Sequence, residues 1–458
     1  MTVARRTARD PIAAIVLGLP EGQASDLRHL KGHWTTIRFA NGRIREPFLE
    51  RSDHLSLRVS VDRCLGTATG TDPTPAELLR LRAAATGLAR VAPREPKFAG
   101  FPDGGRRAIR AAAFSEATAR ISPEAATRIA ERILAAAEAA APGGRIAGVV
   151  NVGTEEVRVV NSAGLDRTAH SSVAQASVLV DRPDRDPPVS GWSEGAHWNV
   201  AQLDPDRLGR EAGDRVAKEP PEAVPPGNYR VVLRGPALAD AFRFLAYLGF
   251  SGHGEDEGWS CLKRQRGKPV APAFVTLVDD ARSSATIPQP IDYEGLPARP
   301  IALIDRGRAG PAVTDVITAS RLGRTTTGHA SLPEAPWGEQ GPEPTHLLLS
   351  AGDAREEELV RETRRGLLVT RFHYVRVVDP GHGIITGMTR DGTYRIDRGE
   401  IVGPVRNLRF TESLLTMLRG IELLGRERRI YADERGGSCV TTPSASVRSF
   451  RFTSATLF

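Results

Sequence analysis

Between positions 181 and 227, prolines at 183, 187, 188, 205, 220, 221, 225 and 226 sit among dense charges. Each proline fixes φ and removes a backbone donor, so such a stretch is poorly suited to a long buried element. It is expected to form an exposed connection interrupted by one short helix near residues 208–218. The division is placed at residue 221, giving an N-terminal α+β domain, 1–221, and a C-terminal β-rich domain, 222–458. A chain of 458 residues is too long for one ordinary core, which favours two lobes on independent grounds.

The N-terminal region opens with strand signals. Residues 35–40 and 43–48 flank Asn41-Gly42, a pair suited to the positive backbone angles of a tight type I′ turn. Leu55, Leu57, Val59 and Val61 alternate with Ser56, Arg58 and Ser60, the pattern of a strand with one buried face. Thr74-Pro75-Ala76-Glu77 is a capping box that opens a helix running to about Val91. Ser122-Pro123-Glu124 caps a second, longer helix whose inner stripe is Ala126, Ile129, Ala130, Ile133, Leu134 and Ala137. Strands are expected at 146–152, 157–161 and 173–180, with a turn at Asn161-Ser-Ala-Gly164. These helices are expected on one face of a mostly antiparallel sheet. After Tyr229-Arg-Val-Val-Leu233 and a helix at 237–250, closely spaced glycines punctuate short β-prone runs at 301–304, 346–349, 367–372 and 374–378. That density predicts a curved sheet or partial barrel.

Composition removes several function classes. No run approaches about eighteen apolar residues, and Met1-Thr-Val-Ala-Arg-Arg leads only into a brief apolar stretch, 12–19, behind Pro11. Neither a membrane span nor a signal peptide is expected. Cys64, Cys261 and Cys439 are three isolated thiols without Cys-x-x-Cys spacing, which argues against a disulfide scaffold and for a reducing, cytoplasmic setting. The formal charge of +7 is spread along the chain and carried mostly by Arg. With no helix-turn-helix, zinc-finger or aromatic RNA-binding motif, a nucleic-acid partner is not expected. Nor is there a Gly-x-Ser-x-Gly elbow, a Walker loop or a Gly-x-Gly-x-x-Gly.

Five segments carry a family likeness: Asn161-Ser-Ala-Gly-Leu165, Pro290-Ile-Asp-Tyr-Glu-Gly-Leu-Pro297, Ser320-Arg-Leu-Gly323, Thr326-Thr-Gly-His329 and Arg398-Gly-Glu-Ile-Val-Gly-Pro404. From about residue 33 onward the chain resembles the TldD/TldE (PmbA) family of peptidases and their partner subunits. The resemblance implies that catalytic members carry a zinc-binding His-Glu-x-x-x-His on the helix upstream of the Asp-x-Glu-Gly segment. Here that helix, 237–250, reads ALADAFRFLAYLGF, with no His and no Glu. The chain therefore resembles the metal-free, TldE-like member. The likeness further implies a TldD-like catalytic partner holding the zinc, no cofactor in this chain, and a shared chamber for small or unfolded peptides bound as an added strand.

Residue by residue, Asp292, Glu294 and Gly295 form a glycine-containing turn. Arg321, Arg324, Thr326, Gly328 and His329 could line the chamber or face the partner, or else satisfy turns and ion pairs. His329 stands where family members usually place Asn. Cys439, in Arg435-Gly-Gly-Ser-Cys-Val440, matches the position of a third zinc ligand in catalytic members, but one soft donor without its partners cannot hold zinc usefully. Gly252-His-Gly-Glu-Asp-Glu257 is the densest local group of metal-ligand types and is expected to be a polar surface loop. Two other readings stay open: an autonomous homodimeric enzyme with a divergent metal site or biosynthetic role, and a regulatory binding protein of the kind that modulates DNA gyrase.

Overall fold

The computed structural model describes residues 10–103, 113–184, 186, 188–332, 341–433 and 435–456. Met1 to Arg6 and Pro187 lie outside the described residues. The protein is α+β and built on two sheets. The first begins with β1 (Gln23–Ala40), which turns through β2 (Arg43–Ile44) into β3 (Phe48–Val61) and β4 (Cys64–Gly70). Asn41 and Gly42 take φ of 55° and 68° and pair Phe39 with Ile44, as the Asn-Gly signal requires. On the other edge of β1 lie β5 (Arg145–Asn161), β6 (Asp166–Arg182) and β7 (Val189–His197), each antiparallel to its neighbour.

Three sequence expectations change here. Residues 146–152 and 157–161 belong to one strand, because the polar stretch between them stays in register with His33, Gly32 and Lys31 of β1 and with Ser172, Ser171 and His170 of β6. The proline-rich stretch is not merely an exposed connection. Its prolines leave 189–197 free, and β7 pairs with β6 along its whole length. Strand β1 also starts well before residue 35, with buried Ser25, Asp26, Arg28 and His29 in place of an apolar alternation.

Helix α1 (Pro11–Leu17) and helix α2 (Pro75–Val91) cover β1, β3 and β5, and α3 (Pro123–Ala140) packs with α4 (Pro205–Asp214) over β1, β5 and β6. Thr74, Ser122 and Asp204 accept the N-capping hydrogen bonds of α2, α3 and α4. The first sheet then draws in strands from beyond residue 221. In addition to β8 (Gly227–Leu233) of the second sheet, the chain forms β9 (Leu277–Asp279), β10 (Ile301–Asp305), β11 (Arg308–Ala309) and β12 (His346–Leu349). Their sheet joins β7 through β18 (Arg429–Ala432) and β19 (Cys439–Thr442), with Ile430 opposite Ala196.

The second sheet closes on itself. Strand β8 pairs with β13 (Arg365–Asp379) and β20 (Ala445–Ala455), while β14 (Ile384–Asp397) and β16 (Leu408–Ser413) complete the ring; β15 (Glu400–Pro404) and β17 (Ile421–Leu424) flank it. The runs 367–372 and 374–378 form one strand, β13, bulged where Tyr374 takes φ 52°. Phe372, Phe410 and Phe450 cluster with centroids 4.5 to 5.6 Å apart in the ring's core. Among the described residues no helix is long and apolar enough to cross a membrane.

Phe410 is fully buried and touches both other rings. Phe410→Ala is expected to lower unfolding stability by about 3–5 kcal/mol in urea titration. A loss under about 1 kcal/mol would mean that the ring core does not hold the fold.

Candidate functional site

The Pro290–Pro297 turn is built around the Asp292 carboxylate, which is buried and accepts three backbone N–H groups. Oδ1 takes Glu294 N at 3.0 Å and Leu296 N at 2.8 Å, and Oδ2 takes Ala330 N at 3.0 Å. One side chain thus fixes the turn and fastens it to the Gly328–His329 segment. Gly295, at φ 74°, lies so close to the sheet that a Cβ would come 2.8 Å from Leu165 Cδ2. Its carbonyl accepts from Arg167 Nη1 at 2.8 Å. Gly328, at φ 72°, would place a Cβ 2.4 Å from Pro297 O.

Glu294 reaches into the N-terminal sheet. Its Oε1 meets Arg58 Nη2 at 3.1 Å, while Oε2 accepts Val316 N at 2.9 Å, at the start of a short helix, α7 (Val316–Arg321), that follows α5 (Gly235–Phe250) and α6 (Gly252–Glu257) in the chain. Arg58 also makes a two-point contact with Asp26, 3.0 Å from Nε and 3.1 Å from Nη2. Arg28 bonds Asp26 at 3.3 Å and donates to the Tyr293 carbonyl. Burial pushes the Glu294 carboxyl up, to about 7, against the pull of Arg58.

The remaining predicted site residues divide into two groups. Arg321 pairs with Glu95 (Nε–Oε2 2.9 Å) and Asp256 (3.4 Å), and Arg324 with Glu255 (2.5 Å). Asp256 and Glu255 lie in α6, so the expected surface loop at 252–257 is a short helix, ended by Gly258 in the left-handed region and held by these arginines and Arg266. Thr326 Oγ1 donates to Thr314 O at 3.0 Å. His329 is buried, its Nδ1 3.0 Å from Thr327 O and its Nε2 3.8 Å from Asp279 Oδ1. His346 lies nearby, and Asp279 Oδ1 and Oδ2, His329 Nε2 and His346 Nε2 are buried without a hydrogen-bond partner. A cavity of about 40 Å³ adjoins them, lined by Asp292, Gly328, His329 and His346.

Burial would lower the His329 pKa, but Asp279 and Asp292 draw it up; burial lowers that of His346. Asp279, which burial alone would raise, is held below its ordinary value by His329 and His346. Sequence reasoning missed Asp26, Arg28, Arg58, Arg167, Asp279 and His346. The buried positions in β1 and β3 offered one signal, since charges on an otherwise inward strand face need partners.

Cys439 is buried beside His346 in the sheet register, and its Sγ accepts from Ile287 N at 3.4 Å. Burial pushes its thiol up to about 12, so without a metal it stays protonated. Helix α5 offers no His or Glu, and its only charged residues, Asp240 and Arg243, pair at 3.1 Å. Among the described residues no group of three or more His, Cys, Asp or Glu side chains is arranged to hold a metal ion. The donors present around α5 and Cys439 do not fit the zinc that the family resemblance implies for catalytic members.

Two outcomes follow from this geometry. Arg58→Ala leaves two buried carboxylates without their shared cation and is expected to cost about 3–5 kcal/mol in chemical denaturation, whereas a cost under about 1 kcal/mol would place this ion cluster in water. A histidine whose folded pKa is raised contributes stability that is complete below its ordinary 6.5 and is lost as pH rises through the folded value. The stability advantage of the natural chain over His329→Gln should therefore shrink as pH rises above 6.5; an advantage that is flat or grows would refute the His329–Asp279 pairing.

Comparison with known proteins places this geometry. Residues 226–454 match the PmbA/TldA metallopeptidase C-terminal domain, 116–218 the central domain and 25–89 domain 1, so the likeness begins earlier than residue 33. A metalloprotease of Methanothermobacter thermautotrophicus is 26% identical over 246 residues, 52% of each chain. A TldD homolog from Buchnera aphidicola is 24% identical over 305 residues, 62% of this chain and 61% of that protein. The chain thus spans about half to three-fifths of these relatives. In fold, it is similar to TldE of Thermococcus kodakarensis (TM-score 0.83, 17% identity, 99% of this chain and all of that one). It is likewise similar to a Thermotoga maritima protein described as a modulator of a DNA gyrase (TM-score 0.81, 19% identity, 98% of this chain and all of that one). With three successive domain matches covering most of its length, the chain belongs to the PmbA/TldD metallopeptidase family.

Proposed function

We propose that this chain is the TldE-like, non-catalytic subunit of a heteromeric peptidase. A TldD-like partner would supply the zinc, the activated water and the carboxylate base, and this chain would complete the chamber for small or unfolded peptides. The observation that carries the reading is α5. At the place where the family resemblance puts the zinc-binding helix, thirteen of its sixteen residues are buried, and Ala, Leu and Phe dominate the buried set. A ligand-bearing helix must turn imidazoles toward an open chamber, whereas this one spends its faces on core packing.

The roles of the predicted site residues follow. Asp292 and Glu294 fix the Pro290–Pro297 turn against the N-terminal sheet, and Arg321 and Arg324 fix α6 against α7. In this reading they hold the chamber wall in shape and act on substrate only through that shape. The fold likeness to TldE supports the reading.

Co-expression with a relative carrying an intact His-Glu-x-x-x-His is expected to yield a stable complex whose peptide cleavage a chelator abolishes. The purified chain alone should carry far less than one zinc per chain by elemental analysis. Failure to co-purify with any such relative, or near-stoichiometric zinc in the isolated chain, would favour an autonomous enzyme.

A further inference from the structure

A second concentration of charge lies away from the Pro290–Pro297 turn. A cavity of about 500 Å³ opens between the end of α4, the start of α5, the 354–359 segment and β18. Its lining holds six arginines and five glutamates, a net excess of one cation. The Glu211 carboxylate is shared by Arg207 (2.8 Å), Arg429 (2.7 and 2.9 Å) and Arg215 (3.4 Å), and Arg207 also pairs with Glu427 at 2.5 Å. Arg234 is matched by Glu356 at 2.8 Å. Burial pushes Arg215 down to about 10, and the neighbouring Arg234 and Arg429 push the same way. At the rim, Arg355 and Arg426 are exposed and make no ion pair among the described residues.

Two further features point into the same space. Helix α5 begins here, and Arg234 at its N-cap supplies no side-chain capping bond, so the positive end of a sixteen-residue helix faces the cavity without a side-chain cap. Tyr431 is 7% exposed, lines the cavity and makes no side-chain hydrogen bond among the described residues. Its hydroxyl lies over the first turn of α5, so close that a Cβ on Gly235 would come 2.1 Å from the oxygen. A buried phenol normally finds a hydrogen-bond partner.

We propose that this cavity is an oxyanion site that takes the terminal carboxylate of a peptide, with the Tyr431 hydroxyl and the start of α5 at its floor and Arg355 and Arg426 at its mouth. The volume exceeds what a lone oxyanion needs and leaves room for the last residues of a chain. Guanidiniums favour a planar, two-oxygen acceptor, which a carboxylate offers. The choice of a peptide as bearer of that carboxylate rests on the proposed function; the oxyanion site itself rests on the cavity alone.

The test uses the purified full chain with no partner, so its result does not depend on whether a complex forms. Calorimetric titration with trialanine, its C-terminal amide and inorganic phosphate is expected to show the free acid binding at least about tenfold more tightly than the amide. Tyr431→Phe, which removes one hydroxyl, and Arg426→Gln, at an exposed position, should each weaken the acid by about three- to tenfold, with the thermal midpoint of Arg426→Gln unchanged. Equal binding of acid and amide, or indifference to both substitutions, would overturn the site. Phosphate binding without binding of the trialanine acid would overturn its assignment to peptides.

Discussion

One buried guanidinium ties the N-terminal sheet to the Pro290–Pro297 turn. Arg58 stands between Asp26, its cross-strand partner in the β1–β3 register, and Glu294, which the chain supplies 236 residues later. Charges removed from water cost several kcal/mol each unless paired with good geometry, so none of the three tolerates the loss of the others. The β1–β3 register is therefore constrained twice. A slip of one residue would expose Leu55, Leu57 and Val59, and it would also turn Arg58 away from Glu294. Because Glu294 in addition accepts the Val316 N–H, the same cluster sets where α7 begins, and through Arg321 and Arg324 it sets where α6 lies.

The elements that could be read from sequence are those whose signals are local. Caps at Thr74 and Ser122 and the Asn41-Gly42 turn are settled by groups within a few residues, and the structure has them where their chemistry puts them. The glycine-punctuated second half implied curvature, and its strands close into a ring. Strand β7 was illegible because Ser190, Gly191, Ser193 and Gly195 leave it without apolar alternation; its stability comes from pairing on both sides. The first half of β1 was hidden for the opposite reason, since its buried residues include charges that only distant partners justify.

The site divides along the same line. Asp292 and Glu294 were visible as acids beside a glycine, and the turn they make follows from an Asp side chain that bonds its own backbone. The arginines that hold the turn, Arg58 on Glu294 and Arg28 and Arg167 on its backbone carbonyls, could not be named from one sequence, because nothing local marks which of many arginines folds back onto it. His329 and His346 likewise meet Asp279 only through strand order, β9 lying beside β12. Three ionisable groups there retain unpartnered atoms inside the protein, a cost the surrounding packing must offset.

The abundance of arginine also takes on a different meaning in the fold. A positive total could have signalled a phosphate-binding face, yet many guanidiniums are spent on carboxylates within the fold: Arg158 on Asp10 and Asp166, Arg266 on Glu255, Arg371 on Asp391. Arginine suits this work because its planar fork meets two oxygens at once and is less strongly hydrated than an ammonium. Positive charge matters to a ligand only where pairing is incomplete and solvent can be excluded. In the cleft between α4 and the start of α5 pairing is uneven: Glu211 serves three guanidiniums, of which Arg207 has a second carboxylate in Glu427, and the helix end beside them has no side-chain cap. Uneven pairing inside the molecule, more than the total on its surface, decides where an anion would be drawn.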